Sequence, residues 1–73
     1  MKHTMISLSN YNHVNGIKDI INTYNNVHQF KVKYNIDETC SKYSVRYHVT
    51  IEGKEQSVNS VLTEIGYFTN YKF

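Results

Sequence analysis

The spacing of apolar residues switches between a period of two and a helical period along the chain. In Thr4–Ser9, Ile6 and Leu8 lie on one side of a predicted short strand, and Ser7 and Ser9 lie on the other. Apolar residues then recur at helical spacing. The face they predict comprises Val14, Ile17, Ile20, Ile21 and Tyr24.

The first helix has competing start signals. Asn12 and Asn15 are both candidates for the N-cap, and Asn25-Asn26 is expected to end the helix. Asn15-Gly16 is also a strong signal for a hairpin turn, which would pair the first strand with the segment that follows. The helical spacing after Gly16 favours the helix.

Two alternating runs follow, His28–Ile36 and Tyr43–Ile51, joined by the polar turn Asp37–Lys42. Together they predict an antiparallel hairpin with one covered side. The residues expected to face the core are Phe30, Val32, Tyr34, Ile36, Tyr43, Val45, Tyr47, Val49 and Ile51.

A second amphipathic helix is predicted after the turn at Glu52-Gly53-Lys54, with Ser57 as its N-cap and Gly66 just past its end. Its apolar face comprises Val58, Val61, Leu62 and Ile65. The aromatic segment Tyr67–Phe73 is expected to form a last edge strand.

The predicted order βαββαβ is that of a ferredoxin-like α+β domain, with a four-stranded antiparallel sheet and two helices on one face. Its strand order would be 4-1-3-2. If the last segment is not a strand, a three-stranded βαββα domain remains. At 73 residues, the chain is expected to be one small domain, 1–73.

The βαββαβ order with Asn15-Gly16-Ile17 at the first helix resembles ACT-type regulatory modules. Those carry Pro-Gly followed two residues later by an aliphatic residue, whereas this chain has no Pro and Ile17 directly follows Gly16. The resemblance implies a small ligand bound near Asn10–Gly16 at a dimer interface.

Composition narrows the source and the compartment. The chain has no Ala or Pro and one Arg, while Asn, Ile, Lys and Tyr make up 30 of 73 residues, a bias typical of an A/T-rich genome. In so short a chain, this suggests a phage or viral accessory protein, or a small Firmicute protein. A single cysteine, Cys40, and the absence of a signal peptide or a long apolar run predict a cytoplasmic protein that does not enter membranes.

The motifs of catalysis are missing. The four histidines are far apart in sequence, and the one cysteine has no neighbouring histidine, so neither a metal site nor a cofactor is expected. There is no nucleophile elbow and no phosphate-binding loop. No carboxylate falls inside an apolar run that would raise its pKa by burial. We therefore expect a binding protein, not an enzyme.

Two binding surfaces are predicted. The first is a basic face on the sheet side away from the helices, expected to hold Lys31, Lys33, Arg46, His48 and Lys72 without an acidic residue. Such a face could bind nucleic acid or an acidic protein, although lysines on an edge strand also simply prevent aggregation. The second is an aromatic edge, which suits a partner protein or a homodimer. It comprises Tyr67, Phe68, Tyr71 and Phe73.

The leading functional hypothesis is a small phage or viral accessory protein that binds a host protein and inhibits or redirects it. Nucleic-acid binding through the basic face is the alternative, and a small-ligand regulatory module is the third.

Overall fold

A computed structural model describes residues 1–70 of the chain. Three strands form one antiparallel sheet in the order β1-β3-β2. The elements in chain order are β1 (Lys2–Leu8), α1 (Tyr11–Val27), β2 (Lys33–Cys40), β3 (Val45–Gly53) and α2 (Glu55–Thr69). This confirms a small α+β fold and fits the three-stranded βαββα alternative.

The predicted fourth strand is wrong where the structure describes it. Residues 67–69 continue α2, which passes through Gly66 and ends at Thr69, with Asn70 as its C-cap in the left-handed conformation. Helix continuation brings Phe68 against Gly16 of α1, where a β-carbon would collide with the Phe68 ring. The missing side chain of Gly16 thus makes room for an aromatic ring, and the Asn-Gly pair does not form a turn. Tyr71 and Phe73 lie outside the described residues.

Helix α1 confirms the predicted apolar face but starts earlier than expected. Val14, Ile17 and Ile21 are buried. The N-cap is Asn10, whose side chain accepts a hydrogen bond from the Asn12 amide at 2.9 Å. Because this bond satisfies one of the free amides of the first turn, Asn10 stabilises the helix from outside it.

The first strand of the hairpin begins five residues later than predicted. The side chain of Asn25, near the end of α1, both donates to the Val32 carbonyl and accepts from the Val32 amide, at 2.9 and 2.8 Å. These bonds hold the chain before β2 to the helix, and Val32 enters the core ahead of the strand. At its other end the strand runs four residues further than predicted, so residues 37–40, predicted as a turn, are paired with β3.

The loop between β2 and β3 is short. It is closed by a hydrogen bond from the Ser41 amide to the Ser44 carbonyl at 2.8 Å. Tyr43, predicted to face the core, lies in this loop and is 88% exposed. The alternation that predicted its burial therefore applies only from Val45 onward, where β3 begins.

Both helices pack over β1 and β3, and β2 is left beside them. The core contains Ile6, Leu8, Val14, Ile17, Ile21, Val32, Val49, Ile51, Val58, Val61, Leu62 and Ile65. No residue of β2 belongs to this buried set; Ile36 packs against it and is only partly buried. The far strand of the sheet is therefore covered much less than the other two.

Candidate binding surfaces

The open face of the sheet is polar and electrically balanced. Directly opposed residues in antiparallel strands point to the same face. The side chains on the face away from the helices are His3, Met5, Ser7, Lys33, Asn35, Asp37, Thr39, Arg46, His48, Thr50 and Glu52. Lys33 and Arg46 are matched by Asp37 and Glu52, so the formal charges cancel.

This balance corrects the expectation of a basic face without acids. Lys33 lies directly opposite Glu52, and His48 lies opposite Asp37. The two carboxylates were missed because both residues were assigned to turns in the sequence, whereas the strands extend to include them. A face with cancelling charges attracts a polyanion far less than a basic one does.

Two lysines of the predicted basic face are not found there. Lys31 precedes β2, and its Nζ donates to the Asn25 carbonyl at 2.9 Å, so it is bound to the end of α1. Lys72 lies outside the described residues. Lys33, Arg46 and His48 do share the predicted face, and the Nδ1 atom of His48 is buried there without a hydrogen-bond partner among the described residues.

Strand β2 is the most exposed element of the sheet. Seven of its eight residues are exposed, and it is an edge strand, so one row of its backbone amides and carbonyls has no partner strand. On its helix side, Tyr34 and Ile36 lie opposite the buried Ile51 and Val49. A groove of about 420 Å³ on the other side is lined by His3, Lys33, Tyr34, Asn35, Thr50 and Glu52.

A tyrosine pair lies on the helix side near the end of the hairpin. The rings of Tyr11 and Tyr47 are 5.5 Å apart, and Cys40 Sγ donates to Glu38 Oε1 at 3.6 Å. Desolvation raises the pKa of Tyr47, and the Glu38 carboxylate opposite it adds to the effect. Desolvation and the same carboxylate raise the pKa of Cys40. A thiol held in its protonated form is a poor nucleophile.

The described part of the predicted aromatic edge, Tyr67 and Phe68, is helical and not a strand. Tyr67 and Phe68 follow one another on α2 and are 83% and 50% exposed. Phe68 makes an edge contact with His13, with ring centroids 5.8 Å apart, so it joins the two helices. Only Tyr67 of this pair presents most of its ring to solvent. Tyr71 and Phe73 fall beyond residue 70, where the described part ends.

A cavity that the sequence did not predict lies where α1 ends and α2 begins. It has a volume of about 300 Å³ and is lined by Tyr24, His28, Gln29, Phe30, Lys54, Gln56, Ser57 and Ser60. The His28 ring stacks on Tyr24 at 3.9 Å, and Lys54 Nζ lies 3.6 Å from the centre of the Phe30 ring. Phe30 was predicted to be a core residue, but it is 52% exposed and forms a wall of this cavity.

Within residues 1–70, no three His, Cys, Asp or Glu side chains are arranged to hold a metal ion. Across the same residues, neither helix has the length and apolar character that a membrane crossing requires. No protein-family model, no curated protein and no solved structure matches this chain.

Proposed function

We propose that this chain is a non-enzymatic binding protein that docks a partner protein along β2. The observation that supports this most directly is the exposure of β2 on both faces and at its edge. An extended segment of another protein can add to such an edge through main-chain hydrogen bonds, while neighbouring side chains provide specificity. Tyr34 and Ile36 supply apolar contact, and the groove beside Asn35 supplies polar contact.

The charged residues of β2 restrict which strands can pair with its edge. Charged residues on an edge strand discourage indiscriminate pairing, and β2 carries Lys33, Asp37 and Glu38. A partner strand with complementary charges would meet no such penalty. The expected partner is therefore a protein with an exposed extended segment.

A protein partner is favoured over nucleic acid by the electrostatics of the open face. Binding to a phosphate backbone depends on an excess of Lys and Arg. On the open face the cations Lys33 and Arg46 are offset by Asp37 and Glu52. Nucleic-acid binding remains the alternative hypothesis, and an Arg46→Glu variant that retained nucleic-acid binding in full would argue against this face as its site.

The small-ligand alternative has less support. Its expected site, Asn10–Gly16, is the capped first part of α1, and Phe68 lies against Gly16.

We also propose that the A/T-rich composition and the small size reflect a phage or viral accessory protein acting in the host cytoplasm. Its mechanism would be occlusion, in which docking along β2 covers a functional surface of a host protein.

A second copy of the chain is an additional candidate partner for β2, because the strand is complementary to itself. In an antiparallel pairing about Asn35, Lys33 of each copy opposes Asp37 of the other, and Tyr34 opposes Ile36. Sedimentation at rising protein concentration measures this self-association. Register is tested by Asn35→Cys in a Cys40→Ser background, since directly opposed Cα atoms are about 4.5–5.5 Å apart, within disulfide range.

The test of protein docking is affinity capture from host lysate, with and without nuclease, using the wild-type chain and two tyrosine variants. Tyr34→Lys adds a charge to the β2 edge and should abolish capture of the partner. Tyr43→Lys makes the same change at the exposed loop tyrosine and should leave capture intact. Capture that disappears with nuclease, or that is lost equally in both variants, would contradict docking along β2.

A further inference from the structure

The cavity between the end of α1 and the start of α2 has the features of a small anion site, separate from β2. At about 300 Å³ it is at the lower end of the size range of small-molecule sites. Its walls combine the rings of His28 and Phe30 with the polar groups of Lys54 and Ser57. Each of these polar groups has capacity for a ligand that the protein itself does not fill.

The hydroxyl group of Ser57 is the clearest such case. Ser60, Thr63 and Thr69, the other serine and threonine residues of α2, each donate to the carbonyl four residues earlier. Ser57 is only 6% exposed, yet its hydroxyl makes no hydrogen bond to any residue in the described part of the chain. Ser57 lines the cavity, and its oxygen is not among the fully buried, unpartnered atoms of residues 1–70. The hydroxyl is therefore open to the cavity, where a ligand can supply the partner.

The backbone at the start of α2 adds further donors. The first intrahelical bond runs from the Val58 amide to the Lys54 carbonyl, and Lys54 supplies no side-chain cap. The amides of residues 55–57 therefore have no partner among the described residues. Together with the helix dipole, they attract a negative group. Glu55 lies in the same turn but is not part of the cavity wall, so it opposes an anion only from outside.

Two side chains complete the site. Lys54 Nζ, over the Phe30 ring, brings a positive charge to the cavity rim. His28 Nδ1 lies 3.1 Å from the Tyr24 carbonyl oxygen, which can only accept, so Nδ1 is the donor in this contact. In the neutral ring Nε2 of His28 is then an acceptor, and it can take a hydrogen bond from a protonated phosphate oxygen.

We propose that this cavity binds a phosphate group, either inorganic phosphate or the phosphate of a small ester. The phosphate oxygens accept from the amides of the first turn of α2 and from Ser57 Oγ, and Lys54 balances their charge. If the ligand is an ester with a flat ring, that ring packs on Phe30 at the open side of the cavity.

The test is a ¹H–¹⁵N NMR titration of the full chain with inorganic phosphate and, separately, with a nucleoside monophosphate, at constant ionic strength. The amides of Gln56 and Ser57 should shift in a saturable manner in both arms. Tighter binding of the monophosphate, with Phe30 ring shifts, would identify an ester ligand, and equal affinities would identify inorganic phosphate. Absence of shifts at these amides with both probes would overturn the proposal.

Variants separate a built site from general attraction. Lys54→Met should weaken binding about tenfold, in line with the loss of one charge-assisted hydrogen bond of roughly 1.4 kcal/mol or more. Lys42→Met is the matched control, because Lys42 also lies over an aromatic ring, with its Nζ 5.6 Å from the centre of the Tyr43 ring in the hairpin loop. Ser57→Ala should weaken binding severalfold while leaving thermal stability unchanged or higher. Equal losses in both lysine variants, or no loss in Ser57→Ala, would contradict the site.

Discussion

Replacing Gly16 by alanine tests the contact that sets the end of α2. In the interior of a helix, Gly→Ala ordinarily stabilises by about 0.8–1.0 kcal/mol. At this position the new β-carbon would occupy the place of the Phe68 ring, so the ring must leave its site on α1. Full burial of a Phe side chain contributes about 1.5–3 kcal/mol, and Phe68 is 50% exposed. Displacing it therefore costs about 1 kcal/mol, and the two effects nearly cancel.

A double-mutant cycle separates the gain in helix propensity from the cost of displacing the Phe68 ring. Gly16→Ala alone should change the free energy of unfolding by less than about 0.5 kcal/mol, and Phe68→Ala alone should lower it by about 1 kcal/mol. In the Phe68→Ala background, however, Gly16→Ala should stabilise by the full helix-propensity gain of about 1 kcal/mol. For a chain of this size, 1 kcal/mol corresponds to a shift in Tm of about 4–8 °C.

The assay is urea unfolding monitored by circular dichroism on the wild type, the two single variants and the double variant, with Tm as a second readout. The expected coupling energy is about 1 kcal/mol. If Gly16→Ala stabilised the wild-type and Phe68→Ala chains equally, Phe68 would not lie on Gly16. A strand at residues 67–69 would give that result, and the helical end of α2 would be refuted.

Three further predictions concern single side chains. Asn25→Ala should lower the free energy of unfolding by about 1–3 kcal/mol, because it leaves the partly buried amide and carbonyl of Val32 unpaired. Asn26 is an exposed neighbour, and Asn26→Ala should change the free energy of unfolding by less than about 0.5 kcal/mol in the same urea assay. Asn10→Ala should cost about 1 kcal/mol through loss of the α1 cap, and an unchanged Tm would contradict that role. Glu38→Gln should lower the raised pKa of Cys40, so alkylation near pH 8 should become faster; an unchanged rate would exclude the influence of this carboxylate. Because the folded chain holds the thiol proton more tightly, Cys40 contributes stability below about pH 9 that is lost as the pH rises further.

The sequence predicts the parts of the fold that depend on hydrophobic periodicity. The apolar face of α1 and the alternation of β3 from Val45 to Ile51 correspond to buried positions in the structure. A buried face imposes its period on the sequence whatever else surrounds it. Boundaries depend on individual contacts. The start of β2 is set by the side-chain bonds of Asn25, and no periodicity reveals such a tertiary contact.

The misassigned C-terminal strand has a similar origin. Tyr67 and Phe68 have high strand propensity, but propensity is weaker than packing. Gly16 leaves space for Phe68 only if α2 continues, and that space is invisible in the sequence. The charges of the open face were misjudged through the same kind of boundary error. Extending β2 by four residues brings Asp37 onto the face that carries Arg46.

The most direct test of the account is amide hydrogen exchange of the isolated chain at low concentration, measured by NMR for β2 and β3. Amides of β3, bonded on both sides, should exchange slowly throughout. In β2, slow and fast amides should alternate between residues 33 and 40, the fast ones belonging to the unpaired edge, and these should become protected when a partner docks. Uniform protection of β2 in the isolated chain would show that its edge is already covered, and it would contradict both the exposed strand and the docking proposal.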